Sequence, residues 1–329
     1  MKKITVGLIT YNRPKLLKRA ILSLQNQSFK NFEILIGNDY EKSEITLSSL
    51  GIKKDKRIRI FNFKKNKGER NNMNFLLNKS RTEWFIWLAD DDYFHKDLLK
   101  RLIKPLRSYK YSKKIVASFS NYSRLKLKSI VAKTKYRLFD KDLFLEGFIS
   151  KKIRLIGVFG LIKTKVLKKI GGIHITGKSF KSNNKITHHY PYCDILLPIL
   201  LSNHGIISWI DERLVFLNTD LNSVSSYSKE YDVYKSAESY LFKNLKITIS
   251  NLKNQNKIRI QNELLKLFIF TRLNVIQKNN LFWNLLNIPK YFLDIIIFEI
   301  KYLKKVSIFS IFNNTFILIK SIYRSKITN

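Results

Sequence analysis

Apolar runs of strand length alternate with amphipathic stretches along the first 120 residues of the chain. The runs are rich in Ile, Leu, Phe and Trp, and their length is typical of buried strands. The stretches between them have helical spacing, and Pro14 lies early in the first one, where its missing N–H is tolerated. The pattern predicts strands at residues 4–10, 32–37, 58–63, 84–89 and 115–119, and helices at 14–25, 71–78 and 97–106.

This alternation predicts an α/β fold, a doubly wound and mostly parallel sheet with helices on both faces. The next hundred residues are less regular. Their predicted elements are a basic loop at 122–141, an apolar segment at 153–162, a helix at 164–170 ended by two glycines, a mobile loop at 173–190, a helix at 192–202 and strands at 206–210 and 215–218.

The pattern changes again at about residue 231. Gly is absent from there onward, Pro289 is the only Pro, and apolar stretches are interspersed with Lys and Arg. This pattern predicts an α-helical, basic, amphipathic C-terminal tail, either packed on the sheet as a cap or lying on a membrane as interfacial helices. The predicted domains are residues 1–230, with halves at 1–110 and 111–230, and the tail at 231–329.

Composition narrows the function classes. The 329 residues carry a net charge of +38, which attracts polyanions such as nucleic acid or an anionic leaflet. The basic residues are scattered, so we expect no nucleic-acid partner and keep the charge as support for contact between the tail and an anionic membrane. One Cys excludes a disulfide framework and suits a reducing cytoplasm. With no secretory signal and no long apolar run, the expected location is cytoplasmic, or peripheral at the inner face of the membrane.

Three consecutive aspartates, Asp90, Asp91 and Asp92, directly follow the apolar run at 84–89. If that run is a buried parallel strand, the carboxylates emerge at the edge where open α/β sheets bind ligands. Adjacent acids repel one another, and Mg²⁺ or Mn²⁺ relieves the repulsion because these ions prefer oxygen ligands and also hold substrate phosphates. For the three aspartates taken alone, a solvated acidic turn is the alternative.

Two more predicted strands deliver polar residues to the same edge. Residues 10–14 follow the first strand, and Asn38 and Asp39 follow the second. Neither a Gly-x-Gly-x-x-Gly motif nor a lysine phosphate loop follows the first strand, so dinucleotide and P-loop binding have no motif here.

Several segments in order resemble the inverting family 2 glycosyltransferases of the GT-A fold. They are residues 6–14 (VGLITYNRP), 21–28 (ILSLQNQS), 31–39 (NFEILIGND), 66–74 (NKGERNNMN) and 87–93 (WLADDDY). The resemblance is specific over residues 4–106, remains visible to about 225, and does not include the tail.

The resemblance implies roles for individual residues. Asp194, at the start of a helix after a loop, would be the general base, with Cys193 standing where the family often has Glu. An acid early in a helix also complements the helix dipole, which is the alternative for Asp194. Asp220 stands where many members carry a His that reaches the metal and diphosphate, and Arg70 would replace a basic residue that Met73 leaves unfilled. The implied nucleotide-sugar site is Thr10, Tyr11, Asn12, Arg13, Asp39, Arg70, Asn74, Asp90 and Asp91, and the implied metal ligands are Asp91, Asp92 and Asp220.

The expected function is therefore a metal-dependent, inverting glycosyltransferase. It would use Mn²⁺ or Mg²⁺ to move a sugar from a nucleotide-diphosphate sugar, with UDP-sugars first, to a glycan or lipid-linked acceptor in bacterial surface polysaccharide synthesis, such as capsule or lipopolysaccharide. Two alternatives stay open. One is a nucleotidyltransferase-like enzyme, although residues 10–14 lack the Gly-rich phosphate loop that it would need. The other is a non-enzymatic basic protein that binds membrane or nucleic acid.

Overall fold

The computed structural model describes residues 3–107, 113–124, 135–174, 176, 180–182, 185–187, 192–218 and 231–250, and single positions at 252, 260, 264, 293, 296 and 297. Its strands are β1 (Ile4–Thr10), β2 (Phe32–Asn38), β3 (Ile58–Asn62), β4 (Trp84–Ala89), β5 (Tyr93–Phe94), β6 (Ile115–Ser123), β7 (Arg137–Phe139), β8 (Leu161–Lys163), β9 (Phe180–Ser182), β10 (Lys185–Thr187) and β11 (Ile206–Phe216). Its helices are α1 (Pro14–Gln25), α2 (Glu69–Lys79), α3 (Leu98–Ile103), α4 (Lys141–Ile149), α5 (Thr164–Lys169), α6 (Cys193–Ser202) and α7 (Tyr231–Ser250), with 3₁₀ turns at Pro105–Arg107 and Gly157–Phe159.

One large sheet organises the fold. Its strand order is β3-β2-β1-β4-β8-β6-β11-β5, and β7 pairs with β11 beside that path. The longest pairings are parallel and join β1 to β2 and β4, β2 to β3, and β6 to β11. The pairs made by β5, β7 and β8 are short and antiparallel. The predicted mostly parallel α/β sheet is confirmed.

Helices cover both faces of this sheet because its strands are apolar on both sides. Alternate residues of β4 point to opposite faces, so Trp84, Ile86 and Leu88 join one core cluster while Phe85 and Trp87 join the other. The first cluster contains the apolar faces of α1 and α3, and the second contains those of α2, α4, α5 and α6. Two-sided burial explains why the strands read as continuous apolar runs.

The predicted elements of the first half agree closely with the structure. The first strand, the first helix and the fourth strand of the sheet have the predicted bounds, and the others differ by a few residues at their ends. Pro14 occupies the start of α1, as expected from its missing donor.

Three expectations for the second half were wrong. The predicted loop at 122–141 contains β7, and the predicted loop at 173–190 contains the antiparallel pair β9–β10. The two strands predicted at 206–210 and 215–218 are one strand, β11, which continues through the polar residues between them.

The start of the predicted tail is helical. α7 spans 20 residues and packs against α6, and the Tyr240 hydroxyl lies 3.0 Å from Nδ1 of His174. Most of the tail lies outside the described residues, and its role and the predicted domain boundaries stay predictions. Of the helices that the structure does describe, none has the length and apolar character needed to cross a membrane.

Candidate functional site

The carboxyl ends of three neighbouring parallel strands meet at one edge of the sheet. Thr10, the last residue of β1, pairs in register with Asn38 at the end of β2, and Ile9 pairs with Ala89 at the end of β4. The amide of Asp39 then donates to the carbonyl oxygen of Thr10 at 3.0 Å. The polar residues that follow these strands are therefore brought together, as the sequence predicts.

Asp90 is the most enclosed of the three consecutive aspartates. Its side chain is only 5% exposed, Oδ2 accepts from the Thr10 hydroxyl at 2.7 Å, and Oδ1 lies 3.2 Å from Nη1 of Arg13. Burial raises the pKa of the Asp90 carboxyl to about 6, while the Thr10 hydrogen bond and the Arg13 charge oppose that shift. Asp90 thus links the end of β1 to the end of β4.

Asp91 is the most accessible of the three aspartates, with its side chain 22% exposed. Its Oδ2 lies 3.0 Å from the same Arg13 Nη1 that contacts Asp90. The guanidinium of Arg19, from α1, donates to the backbone carbonyl of Asp91 and lies 5.2 Å from the centre of the Tyr93 ring. The turn after β4 is therefore held by two arginines, and Asp91 presents its carboxylate outward.

Asp92 faces the chain just beyond β11. Its Oδ1 accepts from the backbone amide of Asn218 at 2.8 Å, just beyond the end of β11. Burial and the neighbouring charge of Asp91 raise the pKa of the Asp92 carboxyl to about 7. The next residue, Tyr93, stacks on Phe216 of β11 with ring centres 4.9 Å apart.

Asp39 lies at the end of β2 and is buried. Its Oδ1 accepts from the backbone amide of Lys67 at 2.7 Å, and desolvation raises the pKa of its carboxyl above the usual value. Beside it, the rings of Tyr11 and Tyr40 meet edge to face with centres 5.4 Å apart, and Tyr11 is 41% exposed. Asn12 has a positive φ of 52°, which turns the chain sharply between β1 and α1.

Arg70 and Asn74 contact the backbone of Ile173. Nε of Arg70 donates to the carbonyl oxygen of Ile173 at 2.8 Å, and Nδ2 of Asn74 donates to the same oxygen at 3.0 Å. Oδ1 of Asn74 accepts from the Ile173 amide at 2.9 Å. A Cβ on Gly172 would lie 2.3 Å from that Oδ1, so the close approach requires glycine. Both side chains therefore anchor the chain at the start of the segment 173–190.

Asp194 lies in the first turn of α6, where the helix dipole favours a carboxylate. The buried thiol of Cys193 donates to Oδ1 of Asp194 at 3.2 Å, and burial raises the pKa of this thiol so that it stays a neutral donor. Pro198 lies four residues later in α6 and has no N–H that could donate a helical hydrogen bond to the carbonyl oxygen of Asp194. A Cβ on Gly157 would lie 2.3 Å from that carbonyl oxygen, so the 3₁₀ turn at Gly157 packs directly on the start of α6.

The carboxylates at the strand edge are chemically suited to a hard divalent cation, but they do not form a complete ligand set by themselves. Carboxylate oxygens are the ligands that Mg²⁺ and Mn²⁺ prefer. Within the part of the chain that the structure describes, no group of three His, Cys, Asp or Glu is arranged to hold a metal, and Asp220 lies outside that part. The residues present therefore fit a metal held by one or two carboxylates together with substrate phosphates.

Sequence reasoning missed several contacts of this site. Arg19, Tyr40, the Lys67 amide and the Asn218 amide all touch predicted residues or flank them. Arg19 lies in the first half of α1, the helix that begins at the strand edge, but its position alone does not show which way its side chain points. The two amide contacts depend on loop conformations that have no side-chain signature.

Comparisons with known proteins agree with this geometry. A family model described as glycosyl transferase family 2 matches residues 5–171, just over half of the 329 residues. A Campylobacter jejuni protein named GalNAc(5)-diNAcBac-PP-undecaprenol beta-1,3-glucosyltransferase is 34% identical over 108 residues, which cover 32% of this chain and 34% of that protein. An uncharacterized glycosyltransferase of Rickettsia bellii is 31% identical over 123 residues, which cover 37% of this chain and 17% of that protein. The chain thus spans a minor part of the length of these relatives.

Solved structures share the fold at low identity. S. aureus TarS 1-349 in complex with UDP-GlcNAc superposes with a TM-score of 0.59 at 14% identity, covering 98% of this chain and 92% of that one. The mannosyltransferase PcManGT from Pyrobaculum calidifontis, in complex with GDP-Man and Mn²⁺, gives a TM-score of 0.51 at 12% identity, with 83% and 72% covered. These likenesses confirm the GT-A fold.

Proposed function

The chain belongs to glycosyl transferase family 2, and from this premise we propose that it is a metal-dependent, inverting glycosyltransferase. The donor is a nucleotide-diphosphate sugar, with UDP-sugars as the first candidates, and the acceptor is a hydroxyl of a glycan or lipid-linked glycan. The observation that carries the proposal is the meeting of Thr10, Asp39 and Asp90 at the carboxyl ends of three adjacent strands. Such an edge is where α/β sheets bind nucleotides.

Individual residues receive roles from their surroundings. Tyr11 and Tyr40 present aromatic surface for a base, and Asp39 is placed beside them to accept its hydrogen bond. Thr10 and Arg13 contact Asp90, which we assign to the ribose of the nucleotide donor. Asn12 sets the turn that carries Arg13, while Arg70 and Asn74 support the donor site through Ile173.

A divalent metal, held by Asp91 and Asp92 with the diphosphate, would neutralise charge on the departing nucleoside diphosphate. We include Asp220 among its ligands on the resemblance alone. PcManGT shares the fold and forms a complex with GDP-Man and Mn²⁺, which supports a divalent metal in this proposal.

Asp194 acts as the general base in this proposal. An inverting transfer needs a single carboxylate that takes the proton from the acceptor hydroxyl as that oxygen attacks the anomeric carbon. The Cys193 thiol donates to the Asp194 carboxylate, and the Gly157 turn packs on the Asp194 backbone carbonyl at the start of α6. Because no enzyme nucleophile takes part, the configuration at the anomeric carbon inverts.

A role in bacterial surface polysaccharide synthesis extends the proposal. The name of the Campylobacter jejuni relative describes transfer to an undecaprenol-linked glycan, which supports a lipid-linked acceptor. A net charge of +38 supports attraction to an anionic leaflet, and we place the enzyme in the cytoplasm with peripheral contact to the membrane through the C-terminal tail. Residues 1–230 would form the transferase domain.

The test is a thermal-shift panel of nucleoside diphosphates and nucleotide sugars, each with and without Mn²⁺. A ligand that binds only the folded state raises its apparent stability. We expect one nucleotide to stabilise the protein in a Mn²⁺-dependent way, and Asp91→Asn to remove the effect. Glu83→Gln is the matched control because Glu83 is exposed at the opposite end of β4. The absence of a shift from every nucleotide would refute the donor site.

A further inference from the structure

The guanidinium of Arg13 occupies a bridging position between two carboxylates. A single nitrogen, Nη1, lies 3.2 Å from Oδ1 of Asp90 and 3.0 Å from Oδ2 of Asp91. An atom that bears positive charge and touches one oxygen from each of two neighbouring acids is placed as a bound cation would be. The acids therefore already have a counter-ion supplied by the chain itself.

The backbone directs Arg13 to this place. Asn12 turns the chain with a φ of 52°, and Pro14 follows at the start of α1. A following proline disfavours the helical conformation, and Arg13 lies outside the helical region with a φ of −131° and a ψ of 62°. The turn between β1 and α1 thus places Arg13 so that its side chain reaches Asp90 and Asp91 at the end of β4.

Arg13 reaches the acids from the solvent side. Its side chain is 29% exposed, compared with 5% for Asp90 and 22% for Asp91. Arg19, the other arginine near the acids, contacts the Asp91 backbone carbonyl and the Tyr93 ring instead. Of these two arginines, Arg13 is the one that contacts the Asp91 carboxylate, and its side chain is partly exposed to solvent.

We propose that Arg13 is a resident counter-ion that holds Asp90 and Asp91 in the metal-free protein and yields its place at Asp91 to the divalent cation. This inference rests on the metal site of the proposed function. A guanidinium in contact with Oδ2 of Asp91 repels a divalent ion that binds the same carboxylate, so each cation disfavours the other at this position. Metal and Arg13 therefore compete, and Arg13 lowers the affinity for metal while it stabilises the empty site.

The competition separates this role from a plain structural salt bridge. Removing Arg13 leaves two adjacent carboxylates without their shared partner, so the metal-free protein loses stability. The same removal takes away the competitor, so the affinity for metal rises. A salt bridge that only supports the fold would lower stability without tightening metal binding.

The experiment measures Mn²⁺ affinity and melting temperature for the full chain, without nucleotide, in the wild type, Arg13→Gln and Lys15→Gln. Lys15→Gln is the matched control, because it removes one positive charge from the exposed surface of α1 only two residues away. Free Mn²⁺ is followed by electron paramagnetic resonance. We expect Arg13→Gln to bind Mn²⁺ about tenfold more tightly, to melt at a lower temperature without metal, and to match the wild type at saturating Mn²⁺.

Unchanged or weaker Mn²⁺ binding by Arg13→Gln overturns the inference and leaves the proposed function standing, provided that the wild type binds Mn²⁺ and Asp91→Asn does not. If neither the wild type nor any variant binds Mn²⁺ without nucleotide, the inference is wrong, whereas the metal dependence of the proposed function is decided separately by the thermal-shift panel with nucleotide. A tightening of equal size in Lys15→Gln also overturns the inference, because it would reflect net charge alone. Should Arg13→Gln fail to fold, Arg13→Lys keeps the charge without the planar fork and should show a smaller tightening.

Discussion

Metal binding at the strand edge should depend steeply on pH, because two of its acids have raised pKa values. Burial raises the pKa of Asp90 to about 6, and burial together with the Asp91 charge raises that of Asp92 to about 7. A carboxylate must lose its proton to bind or support a cation, so metal affinity follows the ionised fraction. The perturbation is a change of pH from 6 to 8 at constant ionic strength.

The magnitude follows from the two pKa values. A carboxyl with a pKa near 7 is about 9% ionised at pH 6 and about 91% at pH 8, a tenfold change. One with a pKa near 6 goes from about 50% to about 99%, which adds a factor of about two. If the cation requires both carboxylates to be ionised, its affinity should rise about twentyfold over this range, mostly because of Asp92.

The assay is a Mn²⁺ titration at pH 6 and pH 8, without nucleotide, so that no phosphate group titrates in the same range. Asp92→Asn is the matched variant, since the amide oxygen can still accept the hydrogen bond from the Asn218 amide. We expect the variant to bind more weakly at pH 8 and to retain only the twofold change due to Asp90. Equal Mn²⁺ affinity of the wild type at the two pH values would refute the reasoning, as would a full twentyfold change in Asp92→Asn.

The same shifts predict the stability of the metal-free protein. A carboxyl whose pKa is raised by folding stabilises the folded protein fully when the pH is below its unfolded pKa of about 4. This stabilisation is lost as the pH rises through the pKa that the carboxyl has in the folded protein. The melting temperature of the metal-free protein should therefore fall between pH 5 and pH 8, and saturating Mn²⁺ should make that fall smaller. A melting temperature that rises over this range without Mn²⁺ would contradict the pKa assignments.

Three further predictions test separate parts of the fold and site. Asn74→Ala removes two hydrogen bonds to the Ile173 backbone and should lower the free energy of unfolding by about 2 kcal/mol in urea denaturation; a change near zero would contradict the anchoring role. Arg101→Met leaves the buried Glu212 carboxylate without its ion pair and should cost about 3–5 kcal/mol, most of which the double variant with Glu212→Gln should recover in the same assay. Asp194→Asn should reduce the rate of sugar transfer by about 10²–10⁴-fold with unchanged nucleotide binding in the thermal-shift panel, and a wild-type rate would remove Asp194 as the base.

The strands of the first half could be predicted because burial on both faces leaves an unbroken apolar run. β11 could not, because its centre reads Asp211, Glu212, Arg213 and looks like a turn. Glu212 is fully buried there, and Nε of Arg101 donates to its Oε2 at 2.8 Å. The Glu212 charge interrupts the apolar pattern of the sequence, but the strand continues because Arg101, 111 residues away in the chain, pairs with that charge.

The candidate site likewise contains some contacts that the sequence predicts and others that it does not. The meeting of Thr10, Asp39 and Asp90 follows from topology, since parallel neighbours end at one edge. The contacts of Arg70 and Asn74 with Ile173 do not, because they depend on where a distant loop returns to α2. Sequence patterns therefore predict which strand ends carry chemistry, whereas the side chains that support them come from contacts between segments far apart in the chain.

Asp92 links the turn after β4 to the chain just beyond β11, and this gives it a structural role beside its proposed role at the metal. Its Oδ1 accepts from the Asn218 amide at 2.8 Å, and the adjacent Tyr93 stacks on Phe216, where β5 pairs with β11. Asp92→Ala should therefore lower the free energy of unfolding by about 1–3 kcal/mol, because it leaves the Asn218 amide without its acceptor. Asp92→Asn keeps an acceptor and should not.

Both variants remove the charge, so both should weaken Mn²⁺ binding at pH 8 to a similar extent. Stability that falls only in Asp92→Ala, together with metal affinity that falls in both, would separate the two roles of this side chain. Equal stability of the two variants in urea would show that the hydrogen bond from the Asn218 amide to Asp92 contributes nothing to the free energy of unfolding. In that case the β5–β11 pairing, the Tyr93–Phe216 stack and the hydrogen bond from the His95 amide to the Leu214 carbonyl would hold the end of β11 against the acid cluster.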